Sequence, residues 1–171
     1  MKRLIAPLLL LLAFQFVSAE PVKSKQLLEV RISSMDLMMN LYPEEYLHLR
    51  VYTNGLVEYE DREGSGTEFV HRKKTLASSE LKTLKEFLAT AAVQLLPHKY
   101  APVVPTIDHH TLITISITRG SKLQTIKVPN YNLALGKGKG QYSQTLINLM
   151  CRIERVRGSG PLLLPPIGWC A

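Results

Sequence analysis

Tyr46-Leu47-His48-Leu49-Arg50-Val51-Tyr52-Thr53-Asn54-Gly55-Leu56-Val57-Glu58-Tyr59-Glu60-Asp61 is the stretch that decides the fold. Its first seven residues alternate, with Leu47, Leu49 and Val51 on one face and His48 and Arg50 on the other. That is the period of a half-buried strand. Thr53-Asn54-Gly55 interrupts the pattern and Leu56 to Asp61 resumes it, so the stretch reads as a hairpin. Loop length then sets the register. A two-residue Asn-Gly loop would bring Val51 opposite Glu58 and Leu49 opposite Glu60, placing carboxylates on the apolar face. A three-residue loop with Gly55 left-handed pairs Val51 with Val57, Leu49 with Tyr59 and Arg50 with Glu58, leaving one apolar and one polar face. The three-residue loop is therefore expected.

Working outward, Leu27 to Ser33 reads as a preceding strand with Leu28, Val30 and Ile32 on one side. Thr67 to Leu76 reads as a following strand. Its His71-Arg72-Lys73-Lys74 run suits a sheet edge, where charge blocks unwanted pairing. Ser78 or Ser79 is expected to cap a helix. Leu81, Leu84, Phe87, Leu88, Ala91, Ala92 and Leu95 form its buried stripe. Pro97 to His110 is a long Pro-interrupted loop. Thr111 to Thr118 and Lys122 to Val128 form a second hairpin. A two-residue Gly120-Ser121 loop pairs Ile115 with Ile126 and Ile113 with Val128. Asn130 to Gly140 is glycine-rich. A last helix, Tyr142 to Val156, puts Leu146, Leu149, Met150 and Ile153 on one side. The order predicts an α+β fold, an antiparallel sheet built from hairpins with two amphipathic helices packed on one face.

The ends of the chain read differently. Met1-Lys2-Arg3 is basic, Leu4 to Val17 is apolar, and Val17-Ser18-Ala19 carries small residues at the positions a signal peptidase reads. Residues 1–19 are expected to be a cleaved signal peptide, because the apolar stretch is shorter than the roughly 17–25 residues a spanning helix needs. Residues 20–157 are then a single domain and 158–171 an apolar tail bearing Gly and Pro. Export to the periplasm or the extracellular space follows, with no transmembrane segment after cleavage.

The whole chain has 171 residues, 21 Lys plus Arg and 14 Asp plus Glu, for a formal charge of +7. The excess sits in the second half: residues 20–94 carry 10 basic and 12 acidic groups, and residues 95–171 carry 9 and 2. A basic half suits an anionic partner. Export and the lack of interleaved aromatic residues argue against nucleic acid.

The hairpin Leu49 to Glu60, together with a helix opening on Ser and an Asp-led extended hairpin at Asp108 to Val128, resembles a family of uncharacterised secreted bacterial α+β domains. Those domains share an Asp/Asn-Gly turn followed by a Val-x-Tyr strand. The similarity spans roughly residues 27–128. Many members carry a paired-Cys motif before the first hairpin, and Ser33 to Glu45 contains no Cys. What the resemblance implies is fold and export; it implies no activity.

Four places could carry chemistry. Asp108, His109 and His110, with His98 at the far end of the same loop, are ligand types for zinc or copper. Adjacent His in an extended segment point to opposite faces, though, so only one readily joins Asp108. Gly136-Lys137-Gly138-Lys139-Gly140 before a helix could hold an anion, but it lacks the spacing of a phosphate-binding nucleotide loop. His71, Arg72, Lys73 and Lys74 offer a surface contact. Cys151 and Cys170, the only thiols, could bridge in an oxidising compartment, closing a loop of about 20 residues for roughly 3 kcal/mol. Hydrolase-elbow, dinucleotide and calcium-loop patterns are missing, so no catalytic residues and no cofactor are predicted. The expected function is an exported, non-catalytic interaction domain of the cell envelope, its partner an anionic envelope component or another protein. The alternative is a metal-binding protein or metal-dependent enzyme on the Asp108-His109-His110 loop. The apolar tail could also dock a partner or a second copy.

Overall fold

The computed structural model describes residues 24–36, 44–62, 69–101, 109–129 and 142–158. The elements run β1 (Gln26–Asp36), β2 (Glu44–Tyr52), β3 (Leu56–Arg62), β4 (Phe69–Thr75), α1 (Ser78–Leu88), α2 (Ala91–Gln94), β5 (His109–Arg119), β6 (Lys122–Pro129) and α3 (Gln144–Arg157). All strand neighbours are antiparallel, and the six-stranded sheet has the order β4-β3-β2-β1-β5-β6. The fold is α+β, and the His71–Lys74 strand is its edge, as the charge run predicts.

The second hairpin adopts the expected register, and the first does so next to its loop, where the expected Leu49–Tyr59 pair is not among the cross-strand pairs. Val51 pairs with Val57 and Arg50 with Glu58 across a loop in which Gly55 has a φ of 88°. Only glycine occupies that region without strain. In the second hairpin Ile115 pairs with Ile126 and Ile113 with Val128.

The registers line up across the whole sheet. Lys73, Glu58, Arg50, Glu29, Ser116 and Thr125 form one continuous cross-strand row, each paired with the next. Parallel to it runs Val57, Val51, Leu28 and Ile117, ending on Gln124. The second kind of row is the core: Leu28, Val30, Leu49, Val51, Val57, Ile113, Ile115, Ile117, Ile126 and Val128 are fully buried. Leu84, Leu88, Val93, Leu146, Leu149, Met150 and Ile153 from the helices belong to the same cluster. Each such side chain contributes about 1.5–3 kcal/mol through loss of water contact.

Alternation fails in β2, and the failure is instructive. The register between β1 and β2 slips after Val30, which pairs with Leu49, because Arg31 then pairs with Leu47 and leaves His48 as the extra residue. A bulge exchanges the faces beyond it. Tyr46, opposite Ile32, therefore joins the core cluster in place of Leu47, and His48, expected on the polar face, is 0% exposed.

The first helix also departs from expectation. It ends at Leu88, and Thr90 starts α2 by accepting the Val93 N–H on its hydroxyl. The expected continuous stripe is thereby broken: Ala91 and Ala92 are exposed, Leu95 is 82% exposed, and Val93 and Leu96 are buried instead. The α1 N-cap is Ala77, one residue before the predicted serines, and its N–H donates to the Glu80 carboxylate. The β5–β6 hairpin fastens the two helix ends. Arg119 donates twice to the Leu88 carbonyl, and Gln124 donates to the Val93 carbonyl, so helix C-terminal oxygens that lack intrahelical partners are satisfied.

Candidate functional site

Where β2 and β3 pair, the pairing covers only Arg50–Glu58 and Val51–Val57. Beyond it, side chains take over the backbone bonds. The Glu60 carboxylate accepts the Leu47 N–H at 2.6 Å. Arg157, the last residue of α3 and 4% exposed, donates to the His48 carbonyl at 3.2 Å and to the Glu60 carbonyl at 3.1 Å. The same guanidinium is paired with Asp61 and lies over the Tyr59 ring, 5.4 Å from its centroid. One turn earlier on α3, Glu154 meets His48, with Nε2 2.7 Å from Oε1. Among the described residues the buried His48 Nδ1 and Arg157 Nη1 have no hydrogen-bond partner.

This constellation pairs a histidine with a carboxylate, as many proton-transfer sites do. Its free ring nitrogen is enclosed, however, and a general base must reach the proton it takes. The arrangement instead ties α3 to the seam between two strands. Its bonds favour one packing of α3 against the strands, at a cost for the two unpaired nitrogens.

The row Lys73–Glu58–Arg50–Glu29 forms a second network. Arg50 holds Glu29 at 2.6 Å, and Arg31 bridges Glu29 at 2.9 Å and Glu45 at 3.1 Å. Lys73 lies 2.9 Å from Glu58, which also accepts the Tyr52 hydroxyl at 2.8 Å. Burial alone would push the Glu29 carboxyl up, but the hydrogen bonds and charges of Arg31 and Arg50 outweigh it and hold it below the ordinary carboxylate range. The Lys73 ammonium does the same for Glu58, against partial burial and with help from Tyr52 and His71. Groups held ionised in this way are poor proton donors near neutral pH.

Of the predicted site residues, His71, Arg72, Lys73 and Lys74 lie on β4. Glu58 stands 3.9 Å from the His71 ring, and Asp61 lies 3.6 Å from the Arg72 Nε. The cationic edge is thus braced by carboxylates of β3. His98 is exposed, and its ring Nδ1–H donates to the Thr125 carbonyl at 3.1 Å. Thr125 pairs with Ser116, seven residues along β5 from His109, or about 23 Å at strand rise. His98 is thereby placed beside Thr125, away from the start of β5. His109 and His110 pair through their backbones with Asp36 and Met35. Asp108, the 136–140 loop, Cys170 and residues 1–19 lie outside the described residues. Among the described residues no three His, Cys, Asp or Glu side chains are grouped to hold a metal ion. Cys151 is buried and is not a free thiol.

Reading the sequence did not single out His48, Glu154 or Arg157. His48 sits inside an alternating strand, and Glu154 and Arg157 look like ordinary polar positions at a helix end. The i, i+3 spacing of Glu154 and Arg157 was the available signal, because it places both on one helix face. Among the described residues no helix is long and apolar enough to cross a membrane. No protein-family model matches the chain, and no curated protein matches its sequence.

Proposed function

We propose that the protein is an exported, non-catalytic module of the cell envelope that works by contact, meeting an anionic envelope component along β4. The observation that carries this reading is that the strand closing one side of the sheet is also strongly cationic. The side chains of His71, Arg72 and Lys73 are 45%, 44% and 58% exposed. Their pairing with Glu58 and Asp61 limits side-chain freedom, which lowers the entropy lost when a partner is bound.

The commitment of Glu29 and Glu58 to ion pairs supports a non-catalytic role. Export rests on the Met1–Ala19 pattern, and the resemblance to secreted domains across residues 27–128 agrees with it. We read the helices as covering one face of the sheet. The support is their shared cluster with Leu28, Val30 and Ile115, which leaves the Lys73-to-Thr125 row on the other face. Retention of the purified protein on immobilised envelope extract tests the proposal. Retention that weakens as salt rises is expected, because salt screens exposed charge. Retention indifferent to salt overturns the electrostatic contact. An exported form whose first residue is Glu20 is the expected product of processing.

A further inference from the structure

A cleft of about 240 Å³ opens between the first turns of α1 and the last turns of α3. Leu84 and Val156 line it with apolar surface, while Ser79, Thr83, Arg152 and Arg155 supply polar groups. We propose that this cleft binds a phosphate monoester group carried on a short apolar stem.

The two arginines stand three residues apart on one face of α3. The Arg152 guanidinium is seated over the Phe87 ring, 4.3 Å from its centroid. Contact with the ring restricts the guanidinium, so less side-chain freedom is lost when its N–H donors meet a ligand. Neither arginine has a carboxylate partner among the described residues. Two guanidinium forks match a group with close to two negative charges and three acceptor oxygens better than they match a single carboxylate. The Leu84 and Val156 surface accounts for the apolar stem. The volume, below the roughly 300–1,000 Å³ of drug-sized pockets, limits it to a few carbons. Glu80 also lines the cleft, and its carboxylate accepts the Ala77 N–H at 3.0 Å. Its charge opposes an anion, which gives the proposal a test of opposite sign. The cleft is separate from β4, so either proposal can fail without the other.

Phenyl phosphate and inorganic phosphate, titrated into the purified protein while backbone amide shifts are followed, test the inference. Phenyl phosphate is expected to move the Ser79 and Thr83 amides and to bind at least about tenfold tighter than inorganic phosphate, since the stem adds apolar burial. Arg155→Gln, at an exposed position, should weaken binding about tenfold, and Arg152→Gln should do likewise. Glu80→Gln keeps an acceptor for the Ala77 N–H while removing the charge, and should tighten binding several-fold. Lys73→Gln on β4 should leave it unchanged. Equal binding of the two phosphates, equal loss with Lys73→Gln, or weaker binding by Glu80→Gln would each overturn the proposal. Vesicles displaying phosphatidic acid decide the source. Arg155-dependent vesicle binding assigns a lipid-borne phosphate, whereas phenyl phosphate binding without vesicle binding assigns a small soluble phosphomonoester.

Discussion

His48 and Glu154, 106 residues apart in the chain, meet at 2.7 Å where β2 slips one residue against β1. The bulge turns the imidazole inward, and α3 supplies the carboxylate that receives it. A buried ring in this position is tolerable only with a partner.

Loss of that partner should be costly. Glu154→Ala leaves the His48 ring buried with neither nitrogen bonded, and it is expected to lower stability by about 1–3 kcal/mol in urea unfolding. A double-mutant cycle with His48→Ala should give a coupling of at least about 1 kcal/mol. Strictly additive costs would mean the contact contributes nothing.

Arg157 carries more. It serves two carbonyls and the Asp61 carboxylate from a nearly closed site. Arg157→Ala should cost about 3–5 kcal/mol, since it leaves Asp61 only the more exposed Arg72 as a partner and takes the donor from the His48 and Glu60 carbonyls. Arg157→Lys should recover only part of this, because an ammonium lacks the planar fork that reaches all three acceptors. Hydrogen exchange at the Leu47 amide should accelerate in both variants, and full rescue by lysine would contradict the account.

Legibility in the sequence followed the range of the interactions. Gly55 and Gly120-Ser121 specify their hairpins locally, and each register follows from keeping Val51 or Ile115 on an apolar face. The edge position of β4 was legible from four polar residues in a row, and the α3 stripe from its spacing. His48 was not, because its burial is imposed by Glu154 and Arg157 from the far end of the chain. The break after Leu88 was missed for a different reason. Leu95 continues a heptad-like pattern, but the Thr90 hydroxyl offers the Val93 N–H a cap, and a local bond won over periodicity. The Arg152–Arg155 cleft depends on how α1 and α3 meet, and no spacing within either helix announces it.

That break makes neighbouring leucines behave in opposite ways. Leu95→Lys, at an 82% exposed position, should change stability by less than about 0.5 kcal/mol. Leu96→Ala, at 6%, should cost about 2–3 kcal/mol, and Thr90→Ala about 1 kcal/mol through loss of the cap. Thermal melts of the three variants check this, and a larger loss for Leu95 than for Leu96 would restore the continuous helix.

The cross-strand row predicts an acid limit. Glu29 and Glu58 ionise more readily in the folded chain than in the unfolded one. Their stabilisation is therefore complete above the unfolded carboxyl value near ~4.3, and it is lost as pH falls through the lower folded values. Tm should hold down to about pH 5 and decline below about pH 4, and the Glu29→Gln, Glu58→Gln double variant should decline less steeply in that window. Parallel acid profiles for the two proteins would show that the row does not govern acid stability.

The most direct test of β4 as the contact surface compares wild type with a Lys73→Gln, Lys74→Gln double variant on immobilised envelope extract at low and high salt. The account predicts roughly thirtyfold weaker retention of the variant at low salt, from about 1 kcal/mol per lysine near an anionic surface, with the two proteins converging at high salt. Identical retention of variant and wild type at low salt would contradict it.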